Sequence, residues 1–289
     1  MGDPDNCDGS SDWGVAMTPA LVHHQHRTVL PAAEGAVRAR DWAEIQERML
    51  APLCEAVYER LETGPGSRVL GLGCGSGLAL LLAAQRGADV CGVDGDGALL
   101  ELAAERLRTG PGSPEDGACP WTARLCEGSP REAVTADAPP TLVTAFGTLP
   151  TAGELSLVTA ALPRGTPVVL TGWGPVERCA AAPALRVATR LAEPAGRHPG
   201  WCGRDDLEEL AVRCGLRLEG SGRVACPFGY AGMESAVRGL LSTGLYDEAV
   251  RATDEEQVLK ELVEALHPYL LADGTVWMPN LFRYVVARA

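Results

Sequence analysis

The sequence predicts an α/β protein built on a doubly wound parallel sheet. Short apolar strands alternate with amphipathic helices at regular intervals from residue 69 onward. The first strand runs into glycines at every second position, Gly71, Gly73, Gly75 and Gly77. A second strand ends in Asp94, about twenty residues past those glycines. Glycines at a strand's carboxyl end let the chain turn sharply and let a ligand approach where a Cβ would block it. An acid at the tip of the next strand accepts hydrogen bonds from ribose hydroxyls. Together these features describe a nucleoside-binding βαβ unit.

The elements follow in order. Residues 1–40 open polar and rich in Gly and Asp, then carry His23-His24-Gln25-His26. This stretch is expected to be a flexible segment that folds over the site. Residues 41–289 form the main domain. Asp41 to Leu61 reads as a helix, with Asp41 as N-cap, Glu44 three residues on, and an apolar stripe of Ile45, Met49, Leu53 and Val57. Gly64-Pro65-Gly66 stops it before the strand Val69 to Leu72. A helix, Leu78 to Arg86, precedes the second strand, Val90 to Val93, and another, Ala98 to Arg108, precedes a Gly/Pro-rich connector. Trp121 to Cys126, Thr141 to Phe146 and Pro167 to Thr171 are the third, fourth and fifth strands, with a helix Gly153 to Leu162 before the fifth. The ligand crevice of such a sheet lies at the carboxyl ends of its strands. Beyond Gly174 the pattern loosens over a Pro/Ala-rich stretch to Trp201. A helix Asp205 to Cys214 leads into a strand Leu216 to Pro227, and the last strand is near Phe282 to Val286. Between them, residues 228–272 carry two amphipathic helices, Met233–Leu241 and Asp254–Leu270, expected to form a helical cap over the sheet's edge.

Composition narrows the function. At 289 residues the chain buries a substantial core without staples. A net charge of −13 disfavours a nucleic-acid phosphate partner or an anionic membrane surface. The 10 cysteines form no C-x-x-C pair and no zinc-ligand spacing, so no metal site is expected. With no charged-then-apolar leader and no long apolar run, the expected setting is the reduced cytoplasm. The expected partner is a small-molecule substrate, with a homodimer the one assembly left open.

The glycine spacing separates the nucleotide classes. A dinucleotide fingerprint needs G-x-G-x-x-G, but the third position is Ser76 counted from Gly71 and Leu78 counted from Gly73. A Walker loop is excluded because Lys260 is the only lysine. The motif present is G-x-G-x-G. It resembles the first motif of class I S-adenosylmethionine (SAM) dependent methyltransferases. From about Trp42 onward the chain resembles the small-molecule members of that family, in particular the ubiquinone-biosynthesis-like group common in actinobacteria. The matching pieces are Trp42-Ala-Glu-Ile-Gln-Glu-Arg-Met-Leu-Ala-Pro, Val69 to Gly77, Gly92-Val93-Asp94, Thr141 to Phe146, Leu162 to Thr171, and the ending from Leu281.

The resemblance implies a seven-stranded sheet whose last strand is antiparallel, and SAM as cofactor. It implies that Gly73, Cys74, Gly75 and Gly77 line the methionyl part, that Asp94 holds the ribose, and that Gly95 lies beneath the adenine. Phe146 and Gly147 would border cofactor and substrate, and Trp42 and Gln46 would reach the cofactor's carboxylate. Two departures stand out. The family's acid before the glycines is Gly71 here, and its adenine-binding acid after the third strand is replaced in Gly128-Ser129, leaving the Ser129 hydroxyl or Glu127 for adenine. Losing two hydrogen bonds to charge costs on the order of 3–6 kcal/mol, about 10² to 10⁴ in affinity. Weakened cofactor binding is therefore expected. It supports an alternative reading, a protein of the same fold that does not methylate and serves as a ligand-binding regulator or cyclase. If the acceptor must lose a proton, the candidate bases are His23, His24 and His26. Trp173, just past the fifth strand, is the candidate wall of an apolar acceptor site. No G-x-S-x-G elbow supports a hydrolase.

Overall fold

A computed structural model describes residues 32–109, 122–134, 138–192 and 205–289. Nine strands are seen among them: β1 (Arg68–Leu72), β2 (Asp89–Asp94), β3 (Ala123–Glu127), β4 (Leu142–Ala145), β5 (Pro167–Trp173), β6 (Arg217–Ala225), β7 (Phe228–Tyr230), β8 (Val276–Met278) and β9 (Leu281–Arg288). Seven of them form one sheet in the order β3-β2-β1-β4-β5-β9-β6. Strands β1 to β5 run parallel, and β9 is antiparallel to both β5 and β6. This is the doubly wound sheet with an antiparallel last strand. The strand order reverses between β1 and β4, which opens the crevice at their carboxyl ends.

Alternation along each strand builds a core on both faces. Val69 and Val169 join the cluster on one face, Leu70, Leu72, Val168 and Leu170 the cluster on the other. The first face carries α2 (Ala51–Arg60), α3 (Leu78–Gln85) and α4 (Gly97–Thr109), through Leu53, Leu80 and Leu99. The second carries α5 (Ala152–Thr159) and α7 (Asp206–Arg213), through Leu155, Leu207 and Leu210. Each such fully buried side chain contributes about 1.5–3 kcal/mol. On the second face, Thr151 and Glu154 cap the start of α5 reciprocally, Thr151 Oγ1 accepting the Glu154 N–H and the Glu154 carboxylate accepting the Thr151 N–H.

Three expectations are corrected. The helix placed at 41–61 begins at Ala32 and is not one regular helix. α1 (Ala32–Asp41) runs into a π-turn, Trp42–Gln46, then a 3₁₀ turn, Glu47–Leu50, then α2. Asp41 has helical backbone angles and caps nothing; it pairs with Arg238 of α8 (Met233–Ser242). The stretch after Gly174 holds α6 (Ala182–Ala192), whose Pro183 sits in the first turn, where the missing N–H costs nothing. The cap holds three helices rather than two: α8, α9 (Asp247–Ala252) and α10 (Glu255–Leu266). Strands β7 and β8 pair on either side of it, and α8 packs on α1 and the π-turn. The Arg38–Asp247 ion pair, nearly buried, ties α1 to α9. No described helix is long and apolar enough to cross a membrane.

Candidate functional site

The loop from β1 to α3 has left-handed backbone at Gly73, Gly75 and Gly77, a conformation that side chains other than hydrogen rarely allow. The three glycines face different surroundings. A Cβ at Gly73 would sit 2.8 Å from Thr148 of the loop after β4. At Gly77 it would meet the Cβ of Ala103 at 2.8 Å, so this glycine serves the packing of the loop on α4. At Gly75 it would meet Oε1 of Glu47 at 2.8 Å and Nε1 of Trp42 at 3.1 Å.

Two cavities flank the loop and share Leu72 and Gly73 as walls. One, of about 140 Å³, lies at the carboxyl ends of the strands, lined by Asp94, Gly95, Gly128, Pro130, Thr148 and Glu154 among others. The other, of about 30 Å³, is lined mainly by Trp42, Glu47, Leu50, Cys54, Gly71, Cys74, Gly75, Thr144 and Phe146. The second is narrow, with room for about two waters, so an incoming ligand has to part its walls.

Asp94 is buried at the tip of β2. Its Oδ2 accepts the Gly75 N–H at 2.8 Å and its Oδ1 the Asp96 N–H at 3.0 Å. Each carboxylate oxygen has two lone pairs, so each keeps an acceptor position for a ligand hydroxyl. The same two bonds fix the carboxylate's orientation before any ligand arrives.

Glu47 is the feature that sequence reasoning missed. Its carboxylate is buried and accepts the Ser76 N–H through Oε1 at 3.1 Å. Its Oε2 accepts the Ser76 hydroxyl and pairs with Arg106 of α4. Burial pushes its pKa up, against the lowering effect of the Arg106 charge and these hydrogen bonds. The Trp42 indole N–H lies beside the same carboxylate but closes no hydrogen bond of ordinary geometry. The cause is the π-turn. In an α-helix Trp42 stacks with Gln46, four residues on; here the Glu47 N–H bonds to the Trp42 carbonyl, and the wider turn brings Glu47 into line instead.

The other candidates are placed as follows. Gln46 faces the cap, its Oε1 accepting the Tyr230 hydroxyl at 2.9 Å, and it lines neither cavity. Cys74 and Phe146 line the second cavity, and Phe146 packs edge-on against Tyr58. Burial and the nearby Asp94 charge push the Cys74 thiol well up, which keeps it protonated and a poor nucleophile. Gly95 lines the first cavity; Ser129 stands between its lining residues Gly128 and Pro130, with Oγ accepting the Arg131 N–H at 3.4 Å. Trp173 is buried between Phe228 and Phe282, at centroid distances of 5.6 and 4.4 Å, as a packing residue of the core. His23, His24 and His26 lie outside the described residues. Among those described, no group of three His, Cys, Asp or Glu converges as a metal would require.

No family model matches the sequence, and no curated protein does. Solved structures do. A SAM-dependent methyltransferase from Thiobacillus denitrificans, in complex with S-adenosyl-L-homocysteine (SAH), superposes with a TM-score of 0.52 at 18% identity, covering 90% of this chain and 99% of that one. YjhP from E. coli gives a TM-score of 0.52 at 16% identity, covering 87% and 99%. At these identities the likeness is one of fold: the chain has the Rossmann-like fold of class I SAM-dependent methyltransferases.

Proposed function

We propose that the protein transfers the methyl group of SAM to a small-molecule acceptor. The observation that carries this reading is the pair of cavities meeting at Gly73, with the Asp94 carboxylate held in the wall of one and the glycine loop in the wall of both. The residues suit the cofactor: close approach at Gly73 and Gly75, a fixed acceptor for ribose hydroxyls, and a buried indole N–H in the second cavity. When bound, SAM supplies a methyl group already activated on a sulfonium. The protein's part is then alignment and exclusion of water. Asp94 and the loop would orient the nucleoside, and Phe146 would wall the second cavity. The buried thiols of Cys54 and Cys74 stay protonated and leave the methyl group alone. Charge points to a small acceptor, since a net −13 opposes polyanionic partners.

One observation favours a second reading, a protein of this fold that binds its ligand without methylating. Glu47, Trp42 and Phe146 crowd the second cavity. The two separate by experiment. Incubation with SAM carrying a labelled methyl group and a panel of phenolic, amine and enolic acceptors transfers label under the first reading. Saturable cofactor binding with no transfer to any acceptor favours the second.

A further inference from the structure

Glu47 has more than a structural bond to make. Its Oε2 is occupied by the Ser76 hydroxyl and Arg106. Its Oε1 accepts one hydrogen bond, from the Ser76 N–H, and so keeps one lone pair. That oxygen is the atom lying against Gly75, in the wall of the second cavity. Beside it the Trp42 N–H is buried, with the residue 3% exposed, and leans on the Glu47 carboxylate without closing a hydrogen bond of ordinary geometry. An orphaned buried donor is costly, and it sits next to an acceptor with spare capacity. The charges already balance, because Arg106 neutralises Glu47. A neutral ligand bearing both a cation and an anion therefore fits without leaving an unpaired charge. The chemistry that matches is an α-amino-acid zwitterion.

We infer that Glu47 is the binding group for the ammonium of an α-amino-acid tail in this cavity. This rests on the cofactor reading above, in which the tail is the methionyl end of SAM, and it supplies a carboxylate that position 71 lacks. The π-turn is what makes the pairing, since it aligns Glu47 rather than Gln46 with Trp42.

The test compares two probes that share an adenosine and differ in the tail: SAH, which carries the amino acid, and 5′-methylthioadenosine, which does not. Calorimetric titration of the wild-type chain should show SAH bound more tightly. Glu47→Gln should weaken SAH by about ten- to hundredfold, the worth of one hydrogen bond to a charge, and leave methylthioadenosine unchanged. Trp42→Phe keeps the ring, removes the N–H and should weaken SAH alone by a smaller factor; it carries the test if Glu47→Gln does not fold. Equal loss of both probes in Glu47→Gln overturns the inference, since it marks a purely structural role at the loop. Unchanged or tighter SAH binding overturns it as well. So does a wild-type chain that binds both probes equally, although the nucleoside site then stands. A wild-type chain that binds neither probe removes the cofactor reading and this assignment together.

Discussion

Gly71 is where the sequence departs from the resemblance and where the structure gives the departure a reason. A Cβ there would lie 3.0 Å from Leu80 and 3.5 Å from the Cys74 Cβ, and Glu47 already lines the cavity that this glycine borders. A second carboxylate would be buried in the wall of the cavity that Glu47 lines, where Arg106 is already paired with Glu47. Gly71→Asp should therefore destabilise the fold by about 2–4 kcal/mol and leave SAH affinity no better than in the wild type. Thermal unfolding and calorimetry on the one variant check both; a stable variant with tighter binding would show that the missing acid is uncompensated. At this scale the sequence made Asp94, Gly73, Gly75 and Phe146 legible, because a strand tip and a glycine loop place their residues by local geometry. Glu47 was not legible. Its role depends on one extra residue per turn in a five-residue stretch, and on Arg106 from a helix about sixty residues away in sequence.

Among the elements, the cap and α1 close the side of the sheet that carries the π-turn. Arg38 and Asp247 join them in an ion pair whose side chains are 16% and 8% exposed. Removing one partner leaves the other charge buried. Arg38→Ala should cost about 3 kcal/mol, with limited proteolysis cutting the α8–α10 region sooner than in the wild type. Digestion at the wild-type rate with an unchanged melting temperature would show that the pair holds nothing. Strands and helices of the alternating core were readable because period-2 and period-3.6 patterns differ over a few residues. α6 was not, since alanines and an N-terminal proline imitate a linker, and its apolar face shows only against α9 and α10. The short α9 lay below the length at which a pattern emerges.

For the molecule as a whole, burial sets the response to pH. It pushes the Cys226 thiol up to about 12 and raises the hydroxyls of Tyr230 and Tyr246 as well. In the unfolded chain such a thiol ionises near 9. The unfolded state therefore binds fewer protons than the folded state between these values, and stability falls as pH rises through that window. The melting temperature should hold from neutral pH to about pH 9 and drop steadily toward pH 12. Cys226→Ala should flatten part of that drop, and a variant with the same slope would assign it to the other buried thiols, Cys54 and Cys74, and the buried tyrosines.

The claim on which the functional account stands is that Asp94 presents its two remaining lone pairs to a ribose in the cavity at the carboxyl ends of β2 and β3. Titrating SAH into the wild-type chain and into Asp94→Ala tests it most directly. The account predicts saturable one-to-one binding by the wild type and a loss of about 10² to 10⁴ in affinity in the variant, from two hydrogen bonds to charge. Equal affinity in both proteins, or no saturable binding by the wild type, would contradict it.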